Sequence, residues 1–270
     1  MGMKLWLAAL ALQSASASAP PSDVLQPSSR WNIEYADKMC ILQRRFGSGA
    51  NGAMLAFKPA PFSELMQLVI LLPKSDKQDT SGSAQVRFDD GRVVDMPFIA
   101  ANIRDSRVLF LDAMREELKP VMADAKVLSV HAGTAKLKFA MTMAGLGMKA
   151  LQACERDLLI DWGMDEKILD SVVSLPKTQR PAKSYVSFSD YPGDAMSRRE
   201  QGMSGVRFWV GTDGRVSDCQ VVESSGSATL DKKTCEIVVQ RFRFKPAMTR
   251  DGAAVRSLSF FRLRWEIGYK

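Results

Sequence analysis

Gly205-Val206-Arg207-Phe208-Trp209-Val210-Gly211-Thr212-Asp213-Gly214-Arg215-Val216 is the stretch whose reading decides the fold. Val206, Phe208 and Val210 alternate with Arg207 and Trp209, and a period of two marks a half-buried strand. Thr212-Asp213-Gly214-Arg215 is a hairpin turn, because Asp-Gly suits the positive φ values such turns require. A second strand follows over Val216–Glu223 and carries Cys219. Ser224-Ser225-Gly226-Ser227 breaks it. Cys235, Val238, Val239 and Phe242 then recur at helical spacing, so a helix is expected over 230–241. Laid on the sheet, that helix brings Cys235 near Cys219. Asp251-Gly252 turns the chain into a last strand over 255–267, where Phe261, Leu263, Trp265 and Ile267 alternate with Arg262, Arg264 and Glu266. A short polar helix over 193–201 precedes the first strand. The expected order is helix–strand–strand–helix–strand, a small α+β sandwich with a three-stranded antiparallel sheet.

These residues form a longer series. Tyr191-Pro192, Ala195, Gly205-Val206, Phe208, Val210, Asp213-Gly214-Arg215-Val216, Ser224-Ser225-Gly226, Leu230-Asp231, Phe242-Arg243-Phe244-Lys245-Pro246-Ala247 and Asp251-Gly252 resemble, in order and spacing, the C-terminal domain of the TonB energy-transducer family. The resemblance covers residues 185–268. It implies a non-enzymatic module without a cofactor. In that family a short extended segment of an outer-membrane receptor adds to the sheet edge, where backbone bonds give affinity and side-chain pockets give specificity. By this likeness the last strand is the partner-binding edge, with Ser257, Ser259, Phe261, Leu263 and Trp265 as its residues. An unpaired edge also invites self-association, which charges such as Arg256, Arg262 and Arg264 blunt.

Outward from this module, charge separates the chain into halves. Residues 180–270 hold 16 Lys+Arg and 10 Asp+Glu, a balance of +6; residues 20–179 hold 20 of each. Arg241, Arg243, Arg262 and Arg264 are the expected basic surface. Arg241-Phe242-Arg243-Phe244-Lys245 interleaves cations and aromatics as nucleic-acid binders do. The expected export and the family resemblance point instead to an acidic receptor segment or an anionic envelope surface, and nucleic acid is not expected.

The 174–184 stretch is polar, holds Pro176 and Pro181 and lacks periodicity, so 166–187 reads as a linker between domains 31–165 and 188–270. The first domain reads as a mixed strand and helix unit, giving an α+β protein of two small domains. Strands are expected over 39–46, 53–57, 65–72, 126–130 and 135–140, a hairpin over 84–96 and helices over 108–118 and 143–161. Gly147, Leu151, Cys154 and Leu158 form one stripe of the last helix, facing the core. The pattern of Cys40, Ala150, Leu151, Cys154 and Leu158 also resembles disulfide-pinned domains that precede such modules in exported proteobacterial proteins.

Lys4, the apolar run Leu5-Trp6-Leu7-Ala8-Ala9-Leu10-Ala11-Leu12 and the small residues Ala15-Ser16-Ala17 read as a cleavable signal peptide over 1–17, with a flexible segment over 18–30. The run is too short to span a bilayer, which needs about 20 apolar residues. A periplasmic protein with no integral span is expected; an inner-membrane-anchored transducer is the alternative. Four cysteines in an oxidising compartment imply two disulfides. Three connectivities are possible, and pairing within halves joins Cys40 to Cys154 and Cys219 to Cys235. The chain has one histidine, His131, before a turn, so a multi-His metal site is excluded. Gly202-Met203-Ser204-Gly205 does not fit a nucleophile elbow. Asp89-Asp90 and Glu116-Glu117 are neighbours whose side chains point apart and read as solvated charges.

Overall fold

The computed structural model describes residues 23–36, 38–76, 80–123 and 125–268; the expected signal peptide and most of the segment before Asp23 lie outside them. In chain order the first half runs β1 (Asn32–Ala36), β2 (Met39–Phe46), β3 (Ala53–Pro59), β4 (Leu65–Pro73), β5 (Ser81–Phe88), β6 (Val93–Ile103), β7 (Ser106–Met114), α1 (Lys119–Met122), β8 (Val127–Ala132), β9 (Ala135–Ala140) and α2 (Ala144–Asp161). The strands form one sheet in the order β1-β2-β3-β4-β7-β6-β5-β8-β9, antiparallel at each neighbouring pair. Alternation sends Leu42, Phe46, Leu55, Phe57, Leu68, Ile70, Val86, Leu109, Leu111, Val130 and Phe139 into a common core.

The sheet curls back on itself. Leu25 donates its N–H to the Lys138 carbonyl at 2.8 Å and accepts from Ala140 at 3.1 Å, on β9. Gly47 donates to the Gln26 carbonyl at 2.9 Å, and Ser28 donates to the Arg45 carbonyl of β2 at 2.9 Å. The 25–28 segment therefore staples the last strand to the second. Across the core lies α2. Leu151, Cys154 and Leu158 are buried along its expected stripe, and Gly147 lets it approach: a Cβ there would stand 3.1 Å from both Leu42 methyls. Cys154 is bonded to Cys40 of β2, their Cα atoms 6.0 Å apart.

The expected helix over 108–118 is a strand through Met114, followed by a 3-10 turn at Arg115–Leu118. Its Leu, Ala, Met and Glu residues favour a helix locally. Pairing with β4 on one side and β6 on the other overrides them, with Leu109, Leu111 and Ala113 turned inward.

The second half runs α3 (Glu166–Ser171), β10 (Val172–Ser174), β11 (Lys177–Thr178), α4 (Gly193–Ser197), β12 (Gly202–Val210), β13 (Val216–Glu223), α5 (Ala228–Arg241), β14 (Phe244–Lys245), β15 (Ala247–Thr249), β16 (Ala254–Val255) and β17 (Ser257–Trp265). Its main sheet has the order β13-β12-β17, both pairs antiparallel. One face carries α5, over a core of Val206, Phe208, Val210, Leu230, Ile237, Val238, Phe242 and Trp265. Cys219 and Cys235 bond α5 to β13 with Cα atoms 5.7 Å apart.

The 166–187 segment is not a free hinge. Val172 of β10 pairs with Thr249, and Lys177 of β11 pairs with Lys245. Tyr185 is buried and stacks on Phe242 with ring centroids 4.5 Å apart. Polar composition hid these backbone pairings, which need no apolar pattern.

The two halves pack against each other. Trp162, just after α2, lies against apolar clusters of both, and Arg207 sits over its ring at 4.9 Å. Phe62, Leu159 and Met164 meet Ala247 and Leu258; Met39 and Ala60 meet Val222 and Phe260. The first half thus covers the sheet face opposite α5.

Candidate functional site

Most residues that carry the family resemblance hold the fold together. Asp231 accepts from the Ser224 hydroxyl at 2.6 Å and the Ser225 N–H at 2.8 Å, and Ser227 caps α5 by accepting from the Leu230 N–H. This satisfies donors that a helix start leaves open. Gly214, at φ +75°, lies under the chain at Phe244, where a Cβ would come within 2.0 Å of the Phe244 carbonyl oxygen. Gly205 leaves room for Glu223, whose carboxylate would stand 2.8 Å from a Cβ. The Trp265 indole donates to the buried Thr234 hydroxyl at 2.9 Å and packs edge-on to Tyr191.

The basic surface divides in the same way. Arg241 clamps Asp190 at 2.6 and 2.7 Å and donates to the Tyr185 carbonyl, while its side chain stays 42% exposed at the surface. Arg262 grips Glu223 at 2.8 and 3.0 Å, and Lys58 of β3 reaches the same carboxylate at 2.5 Å. This correction to Arg262 follows from packing between the halves, which residue spacing does not report. Arg243 bonds the Phe242 carbonyl, and Arg264 pairs with Glu266 at 3.2 Å while half-exposed.

The Arg241 guanidinium holds the Asp190 carboxyl down to about 2 against its ordinary 3.8, with Ser187 assisting. The folded value lies below the unfolded one, so the stabilisation is present above pH ~4 and is lost as pH falls through about 2. Discounted for the exposed Arg241, it amounts to about 1–2 kcal/mol. Asp190→Asn should therefore lower the urea midpoint at pH 6, and its gap from the native protein should shrink towards pH 2.5. A gap independent of pH would show that the ion pair does not supply it.

β17 is the outer strand of its sheet. Ser257, Ser259, Phe261, Leu263 and Trp265 are the residues expected at the partner edge, and backbone parity shows which groups of this strand face outward. Leu258 donates its N–H away from β12, to the Met164 sulfur at 3.3 Å. On the far side of β12, Gly211 donates to the Arg215 carbonyl at 2.9 Å, which extends the pairing of β12's odd-numbered residues with β13. Antiparallel strands alternate the direction of their backbone groups. The odd-numbered residues of β17 therefore bond β12, while Phe260, Arg262 and Arg264 direct N–H and C=O outward. Phe261, Leu263 and Trp265 send their side chains under α5. Residue spacing fixes which face a side chain takes, but not which edge a backbone group takes.

Beside that edge a groove of about 310 Å³ is lined by Ala60, Leu65, Met66, Met203, Phe260 and Arg264, among others. It adjoins a cleft of about 800 Å³ between the two halves, bounded by Lys58, Glu223 and Arg262 on one side and by Ile99, Ile103 and Phe110 on another. Among the described residues no group of three or more His, Cys, Asp or Glu is placed to hold a metal ion, and no helix is long and apolar enough to cross a membrane.

The second half is a small helix-backed sheet with an outer strand, β17, and residues 189–267 match the family described as Gram-negative bacterial TonB protein C-terminal. Protein TonB of Pseudomonas putida is 36% identical over 66 residues, which cover 24% of this chain and 27% of that protein. The chain thus spans about a quarter of that relative's length. The solution NMR structure of the Pseudomonas aeruginosa TonB CTD is 27% identical and covers 35% of this chain and 89% of its own, with a TM-score of 0.27. The C-terminal segment resembles the TonB C-terminal domain; the first 188 residues lie outside the family match.

Proposed function

We propose that this is an exported periplasmic protein that acts by binding and not by catalysis, taking an extended segment of a partner protein as a further strand on β17. The observation that carries the reading is the parity of β17, which directs the backbone groups of Phe260, Arg262 and Arg264 towards the groove. An incoming strand would lie about 4.8 Å beyond β17 and bond these groups in turn. The family resemblance favours a segment of an outer-membrane receptor as the partner. A membrane-anchored transducer is the second reading, favoured by the TonB relative; an intact Met1 recovered in the membrane fraction would establish it over export and cleavage.

Amide exchange tests the binding mode, using synthetic peptides that cover the periplasm-facing N-terminal segments of the same cell's outer-membrane receptors. Binding should slow exchange at Phe260, Arg262 and Arg264. Arg264→Pro removes one outward N–H and should weaken binding about fivefold or more while the thermal midpoint stays close to native. Binding that leaves all three amides unchanged would overturn strand addition.

A further inference from the structure

The first half presents an unusual outer wall. Residues facing outward on β4, β7 and β6 form cross-strand ladders: Val69, Phe110 and Ile99 lie in one register row, and Leu71, Val108 and Ala101 in the next. Polar residues are expected on the solvent face of such a sheet. Instead Ile103 is 47% exposed, Ile99, Ala101 and Phe110 are half-buried, and the cleft beside β17 runs along them.

The cleft as a whole is lined by three cations, Lys58, Arg262 and Arg264, and three carboxylates, Glu223, Asp112 and Glu266, but its buried cluster is unbalanced. Lys58 and Arg262 share the single carboxylate of Glu223, and all three side chains are about four-fifths or more buried, at 21%, 14% and 14% exposure. The cluster carries one positive charge in excess, in a place where water solvates it poorly. Burial and the neighbouring Arg262 push the Lys58 pKa down, against the opposing pull of Glu223. A second carboxylate entering the cleft would complete the pairing.

We infer that the outer wall of β4, β7 and β6 is the second half of the partner site, and that it selects an extended acidic peptide with apolar residues at alternate positions. This rests on strand addition to β17. A strand added there turns every second side chain to the face on which Phe260 and Arg262 lie, which is the face turned to the first half. Those side chains enter the cleft. Apolar ones meet Ile99, Ile103 and Phe110, and a carboxylate meets Lys58 and Arg262. The cleft's volume falls within the range of about 300–1,000 Å³ that suits a small ligand or a few side chains. β17 supplies the affinity common to any extended chain, while the first half supplies the choice of sequence.

A cycle of two peptides and two proteins tests this, with the full chain throughout. The probes are synthetic Val/Thr-alternating peptides carrying either Glu or Gln at one cleft-facing position. The native protein should prefer Glu about tenfold or more, as a hydrogen bond to a charged group warrants. Lys58→Met leaves Glu223 paired with Arg262 and should reduce that preference to about twofold or less, and Ile103→Asp should weaken both peptides alike. If peptides bind and protect the amides of Phe260, Arg262 and Arg264 but these variants change neither preference nor affinity, strand addition stands and the second wall does not. If neither peptide protects those amides, both readings fail. Dimerisation through β17 that excludes the peptides would also overturn the inference, by assigning the wall to a second copy.

Discussion

Replacing Cys40 and Cys154 together by Ala should lower stability by about 5 kcal/mol, the larger of the two disulfide effects in this chain. The bond joins residues 114 apart. Cross-linking so long a loop removes much of the freedom of the unfolded chain, and chain-entropy reasoning gives roughly 4.7 kcal/mol for about 100 residues. The Cys219–Cys235 bond spans 16 residues, for which the same reasoning gives about 3 kcal/mol. A domain stable by about 5–15 kcal/mol would lose a third or more of its margin with the longer bond. Urea denaturation of the two double variants should rank them in that order. A smaller loss for the Cys40/Cys154 pair than for the Cys219/Cys235 pair would show that loop closure is not what the longer bond supplies.

Glu223→Ala should destabilise the protein by about 3–5 kcal/mol, because it strips the shared partner from two buried cations. Burial raises the Glu223 pKa, but the Arg262 hydrogen bond and the charges of Arg262 and Lys58 outweigh it, and the net shift is downward. The stabilisation is therefore present above the ordinary glutamate range and is lost as pH falls through the lowered folded value. Adding Lys58→Met should recover part of the loss, since one unpaired cation is better tolerated than two. Calorimetry of the single and double variants checks this. A double variant no more stable than Glu223→Ala alone would mean that Lys58 is not coupled to the carboxylate.

The fold of the second half was largely legible in the sequence, for a local reason. Asp213-Gly214, the alternation of Val206, Phe208 and Val210, and the Cys235–Val238–Val239–Phe242 spacing each report structure within a few residues. The helix expected over 108–118 failed because Leu109 and Leu111 suit either period, and the deciding neighbours, β4 and β6, come from elsewhere in the chain. The 166–187 segment hid its order in backbone bonds, which its polar composition does not betray. The candidate site was read less well than the fold. Naming 255–267 as the outer strand followed from the family likeness. The outward groups of Phe260, Arg262 and Arg264 depend on pairing parity, and the burial of Arg262 depends on Glu223 and on Lys58 of the first half, which lie far from it in sequence. The meeting of Trp162, Met164 and Leu258 across the two halves left no mark in composition or spacing.

The 25–28 staple has a kinetic consequence. Leu25 bonds Lys138 and Ala140 across more than a hundred residues, and β2 meets α2 over a similar separation. Nearly the whole first half must be synthesised and gathered before its sheet can close. Non-local closures of this kind place folding on a time scale of roughly milliseconds to seconds, slower than helical proteins of similar stability. Until then the inner faces of β2 and β9 have no cover. Oxidation of Cys40 and Cys154 should therefore come late in folding, as a lock on a closed sheet rather than a guide to it.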